Sequence, residues 1–214
     1  FFLIQIAGAV VFSSDNLVLS HYLGPVQVTP YSVTWRLVGL SAALQSLFFP
    51  ALWPAYAEAY ARGDHSWMQR TFRLTMRGTF AVNTAFAVAL VVFGQPLIRW
   101  WAGAPAVPSR LLLAAMALWA VISGCMTAES CLLAAVNRTR EQGVLSIVAA
   151  AVNLALSVYL VQRVAALGVI AGTILSYLLV LVVPQTLLVR SVLRTSGEPP
   201  GGCVVEQRRA VASQ

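Results

Sequence analysis

Charge is scarce in this chain. Asp, Glu, Lys and Arg together make up 10 % of its 214 residues, where a soluble globular domain carries about 25 %. Lysine is missing altogether, so all fourteen basic residues are Arg. Histidine is confined to His21 and His65, which fall in expected connections and read as solvated surface. Cys125 and Cys131 sit in an apolar run and Cys203 in a polar tail. Their spacing makes neither a disulfide framework nor a metal site, and they read as small apolar fillers. No nucleophile–base constellation or phosphate loop is present, which argues against an enzyme and gives no reason to expect a cofactor. The long apolar runs lack the period-two alternation of a membrane β-barrel. The chain opens on Phe-Phe-Leu-Ile without Met or the basic start of a signal peptide, and so reads as beginning partway through a larger protein.

What is abundant is apolar length. The hydrophobic fraction is 59 % and the mean hydropathy +0.78, which implies an all-α integral membrane protein. Windows of about 20 residues are long enough to span hydrocarbon as helices. Six are expected, at about 1–20, 30–52, 78–99, 110–135, 143–162 and 167–190. The segment 194–214, rich in Gly, Pro and charge, reads as a disordered tail. The Arg residues are unevenly shared between the two sides. Arg62, Arg70, Arg73, Arg77, Arg138, Arg140, Arg190, Arg194, Arg208 and Arg209 fall on one, and only Arg99, Arg110 and Arg163 on the other. The positive-inside rule puts the first group, and both ends of the segment, in the cytoplasm. These arginines read as topology signals and contacts to anionic lipid, and nucleic acid is not an expected partner.

Two charges interrupt the first two apolar runs. Asp15 lies five residues before the end of one and Arg36 five after the start of the next, so both are expected roughly 8 Å below the same surface. A charge at that depth is costly and commonly marks a substrate or ion route, and the two can pair or face one wet cavity. A purely structural ion pair is the competing reading. Polar or small stripes at helical spacing accompany them: Ser32, Arg36, Gly39 and Ser46; Ser123, Thr127 and Ser130; Ser146, Asn153 and Ser157. The last is Gly168, Gly172 and Ser176, suited to close helix contact. Pro50 and Pro54 should kink or end the second span, as a hinge or as a simple exit from the membrane. Glu129, near the cytoplasmic end of the fourth span, either accepts from Arg138 or Arg140 or serves as a proton site.

Several phrases are familiar. Asp15-Asn16-Leu-Val-Leu-Ser-His-Tyr-Leu-Gly24-Pro25, followed by Val28-Thr-Pro-Tyr31, resembles a signature of Wzx-type polysaccharide flippases. These belong to the multidrug/oligosaccharidyl-lipid/polysaccharide exporter superfamily. Pro50-Ala-Leu-Trp-Pro54-Ala-Tyr-Ala-Glu58 with Arg62-Gly-Asp64, and the turn Asn137-Arg138-Thr-Arg140, are similar to segments of the same proteins. The resemblance implies the second of two six-helix bundles, with the N-terminal six-helix half missing from this chain. It also implies a polyprenyl-pyrophosphate-linked oligosaccharide as cargo, moved by alternating access across a bacterial or archaeal cytoplasmic membrane. Arg36 would contact pyrophosphate or acidic sugars, and Asp15 would steady Arg36 or carry a coupling cation or proton. Asn16, Asn153 and the hydroxyl stripes would meet sugar. A cation-coupled multidrug exporter of the same superfamily, a membrane enzyme of glycan assembly, and a non-transporting fragment are the alternatives.

Overall fold

The computed structural model describes residues 14–194, so most of the first expected span, and all of the expected 194–214 tail except Arg194, lie outside the described residues. Those residues are nearly all helical and contain no strand. Helix α1 covers 14–23 and turns at Gly24, whose φ of 79° is a conformation that glycine adopts without strain. Helix α2 is Pro25–Gln45 and α3 is Phe49–Ala61. Helix α4 is His65–Ala102, α5 is Arg110–Ala135 and α6 is Thr139–Val164. Helix α7, Ala166–Tyr177, runs through a π-helical segment, Leu178–Val182, into α8, Val183–Arg194.

Four helical stretches are long and apolar enough to cross a membrane: α4, α5, α6 and the continuous Ala166–Arg194. The pair α2–α3 adds a fifth if it is one broken span. The expected six spans are thus reduced to four or five among the described residues, because the first lies largely outside them.

The connection expected between the second and third spans is itself helical. Asp64 caps α4 by accepting from Trp67 N–H at 2.9 Å. The helix then continues for 38 residues, about 57 Å long and nearly twice the hydrocarbon thickness. Its Arg70, Arg73 and Arg77 turns therefore stand beyond the apolar layer.

Helix α5 is the hub, packed against α2, α3, α4, α6, α7 and α8. Two apolar cores flank its length. One gathers Tyr31, Leu113, Met116, Trp119 and Ile170 at the end that holds the α1–α2, α4–α5 and α6–α7 turns. The other gathers Tyr56, Met68, Phe72, Leu132 and Val189 at the Arg-rich end. Gly168 and Gly172 let α7 lie directly on α6. A Cβ at Gly168 would come within 2.3 Å of the Leu160 backbone, and one at Gly172 within 2.9 Å of Ser157 N. The small-residue ladder is therefore a packing device, and it sets the position of everything that α7 carries.

Candidate functional site

Beside the first core, three helices, α2, α6 and α7, bring polar groups around Asp15 of α1, which is 1 % exposed. Tyr31 donates to Asp15 Oδ2 at 3.0 Å from α2, and Thr173 donates to the same oxygen at 3.3 Å from α7. From α6, Asn153 Oδ1 accepts from Ser157 at 2.8 Å and lies 3.4 Å from Thr173 Oγ1. The Val169 carbonyl lies 3.1 Å from Thr173 Oγ1 and 3.4 Å from Ser157 Oγ. Asn153, Ser157 and Thr173 are all buried.

The proton count is unequal. Each hydroxyl has one hydrogen, yet Thr173 faces three acceptors and Ser157 two. Asp15 Oδ1 and Asn153 Nδ2 make no hydrogen bond among the described residues. The cluster thus sets one carboxylate, with one oxygen left unbonded, among three hydroxyls and an amide whose own N–H donors are unused. Chemically it suits a proton or a small hard cation of single charge, because a buried carboxylate needs a compensating positive charge. Among the described residues there is no group of three His, Cys, Asp or Glu side chains suited to a metal.

Arg36 does not supply that charge. Tyr31 faces Asp15, and Arg36 follows five residues later, about 140° round the helix. Its side chain is exposed, and it forms no ion pair among the described residues. The expected equal depth also needs correction, since helix continues on both sides up to Gly24. Asp15 is nine residues from that turn and Arg36 twelve, a difference of about 4.5 Å along the bundle. The pairing expected from the sequence is therefore absent. Asn16 lies beside Asp15 in sequence but turns to α2, where it accepts from Ser32 at 2.9 Å.

Two further polar clusters lie toward the Arg-rich end. Gln45, the last residue of α2, donates to Asn83 Oδ1 of α4 and to the Ser41 carbonyl, both at 3.2 Å. Asn83 is fully buried and occupies the space left by Gly124, where a Cβ would meet its side chain at 2.5 Å. The break between α2 and α3, a bend of 44°, follows Gln45 immediately. Pro50 sits within the first turn of α3 and Pro54 lies inside that helix. The kink therefore occurs at 46–48, just before the proline pair. Glu129 is buried on α5 and accepts from Thr186 of α8 at 3.0 Å. Of the two partners expected for it, Arg138 donates instead to Glu141 at 3.0 Å, and Arg140 makes no ion pair among the described residues.

Tyr31, Thr173, Gln45, Asn83 and Thr186 were not singled out by sequence pattern. Asn83 had the most visible signal, an amide in the middle of the apolar window 78–99. No family model, curated protein or solved structure matches this chain.

Proposed function

We propose that this chain is one bundle of a membrane transporter whose cycle is coupled to a proton or small monovalent cation bound at Asp15. The observation that carries this reading is a carboxylate 1 % exposed, with one oxygen unbonded and no cation paired with it among the described residues. A fixed structural carboxylate would be expected to have all its oxygens paired. The carboxylate stands on α1 and the groups around it come from α2, α6 and α7, so loss of the positive charge loosens contacts among four helices at once. That is how a small ion can bias two packings of one bundle.

The cargo we propose is a polyprenyl-pyrophosphate-linked oligosaccharide, on the strength of the residue resemblance and of Arg36. An outward-turned guanidinium within an apolar helix suits a pyrophosphate or acidic sugar, carried in a polar path against a second bundle that this chain does not contain. The polyprenyl tail would remain in lipid. The Arg distribution favours a cytoplasmic membrane with both ends of the segment inside.

One observation favours a cation-coupled multidrug exporter instead. Aromatic rings adjoin the acid in series: Tyr31 stacks on Trp35 at 6.2 Å, Trp35 on Trp119 at 6.4 Å, and Tyr177 meets Trp119 edge-on at 4.8 Å. Such a wall suits organic cations.

The deciding test uses cells whose surface polysaccharide depends on this protein. Asp15→Asn and Arg36→Ala should each cut surface polysaccharide at least tenfold at unchanged membrane abundance. Normal polysaccharide in both variants, with altered resistance to cationic drugs in Asp15→Asn, would transfer the assignment to the exporter. Normal phenotypes in both assays would sink the transport reading.

A further inference from the structure

Glu129 has a geometry that neither packing nor the Asp15 site explains. Its residue is 8 % exposed. One carboxyl oxygen accepts from Thr186, and the other, Oε2, is buried with no hydrogen bond among the described residues. Beside it Gln185, 1 % exposed, ties α8 to α5 by donating to the Met126 carbonyl at 3.0 Å and to Ser130 Oγ at 3.1 Å. No ion pair reaches Glu129 among the described residues.

The charged and titratable groups around it are few. On α5 the nearest is Cys125, one turn away. From α8 it is Arg190, whose field reaches the carboxyl although its side chain is exposed. Arg138, where α5 gives way to α6, is occupied by Glu141. Helix α3 contributes Tyr56, whose hydroxyl is bonded to Thr75 of α4, and Glu58, which pairs with Arg62.

Arg190 is four residues after Thr186, on the same face of α8 and one turn nearer the Arg-rich end. The π-helical segment Leu178–Val182 lies just ahead of α8, and such segments let one part of a helix shift against the next. The same continuous span carries Thr173, the donor to Asp15, about 20 Å away along its axis. Each buried acid is thus held through one oxygen by a threonine of one helix, with the π segment between them.

We propose that Glu129 is a second proton site, facing the cytoplasmic end, at which a proton and Arg190 alternate as the counter-charge. This rests on the transport reading above and deepens it. In one state a proton occupies Oε2 while Oε1 accepts from Thr186, so the carboxyl is neutral and can stay buried. In the other, α8 slides by about 5.4 Å, one helical turn, and Arg190 replaces Thr186. The O–H bond breaks, water at the cytoplasmic end takes the proton, and the carboxylate is left paired with the guanidinium. Because α8 is continuous with α7, the part of that shift that the π segment does not absorb reaches Thr173, so release at Glu129 is linked to occupancy at Asp15.

The test follows carboxylic-acid absorption of the full chain in lipid nanodiscs by pH-difference infrared spectroscopy, which needs no cargo. The wild type should display a protonated-carboxyl band that persists in Asp15→Asn, and so does not come from that acid, and that disappears on raising the pH. Glu129→Gln should lose it, whereas Glu129→Asp, which keeps a carboxyl, should retain one. Thr186→Val should move its frequency, and Arg190→Gln should preserve it into alkali that abolishes it in the wild type. A band unchanged in Glu129→Gln would overturn the site. An Arg190→Gln titration identical to wild type would overturn the exchange of counter-charge, and loss of the band on adding sodium at fixed pH would overturn the assignment to a proton. None of these results depends on whether polysaccharide is exported, so failure here and failure of the transport reading are separable.

Discussion

Asp15 and Arg36 carry opposite charges within one helical turn of the same depth, and their surroundings are opposite too. Asp15 is sealed among α1, α2, α6 and α7, with hydroxyls directed at it. Arg36 stands on the exposed face of α2. The face of α2 that meets the bundle is formed by Tyr31, Thr34, Leu37, Val38, Ser41 and Gln45, all buried, at the three- and four-residue spacing of a helical stripe. Arg36 falls between those positions. The two charges therefore cannot neutralise one another, and each needs a different partner. For Asp15 the partner has to be small enough to enter a packed helix junction. For Arg36 it can be large, because its side chain stands exposed among the described residues. That division suits a carrier in which ion and cargo bind at separate places.

The strongest way to break the comparison is to disturb one face and spare the other. Gly168→Leu places side-chain atoms where the Leu160 backbone already lies, so α7 has to leave α6 and Thr173 has to leave Asp15. A loss of about 3 kcal/mol or more is expected from such overpacking. Gly39→Ala is the control on the exposed face of α2, where a Cβ meets nothing within 4 Å. It should not destabilise the fold and should raise stability by up to about 1 kcal/mol. Thermal unfolding in detergent, followed by circular dichroism, separates the two. Equal melting temperatures would mean that the α6–α7 contact does not hold the Asp15 site together.

Much of this was legible in the residues, and the failures share one cause. Apolar length located α5, α6 and the Ala166–Arg194 span within a few residues, because the hydrocarbon requirement acts on composition alone. The Gly168–Gly172–Ser176 ladder was readable for a similar reason: only small side chains permit that approach. The Asp15–Arg36 pairing failed because depth and direction are separate coordinates. Depth follows from counting residues to a turn, and the count itself slipped when helix continued through His21–Leu23 and Val26–Pro30. Direction round the helix is set by which neighbours α2 packs on, and a span apolar on every side carries little periodic signal of that. The same loss hid Thr173 and Thr186, whose roles arise only when α7 and α8 meet acids 158 and 57 residues away in the chain. Helices α3 and early α4 escape a reading by apolar length, because the Pro50–Pro54 pair in one and the arginines in the other signal an exit from hydrocarbon, although Asp64 is in place to cap α4.

A finer test of the separation is a double-mutant cycle of Asp15→Asn and Arg36→Gln, read as unfolding free energy. If the charges act independently, the two effects should add to within about 0.5 kcal/mol. A coupling of about 3 kcal/mol or more, the scale expected on breaking a buried pair, would restore the ion pair and remove the case for two binding places.

The smallest effect sharpens the contrast between Asp15 and a carboxylate with nothing to await. Asp64 is exposed at the start of α4, and its carboxyl is held below the ordinary value of 3.8 by the Trp67 N–H first and the Ser66 hydroxyl second. A depressed carboxyl stabilises the fold wherever it is ionised. The contribution is therefore complete above about pH 4 and disappears as acid carries the pH down through the folded value. Asn caps a helix about as well as Asp, so Asp64→Asn should leave the neutral melting temperature unchanged and remove only the small destabilisation seen in acid. Asp15→Asn should do something different in kind, altering export while the protein remains folded at neutral pH. If Asp64→Asn impaired export as strongly as Asp15→Asn, loss of a carboxylate anywhere would suffice. The buried one would then have no special standing, and the case for an ion bound there would fall.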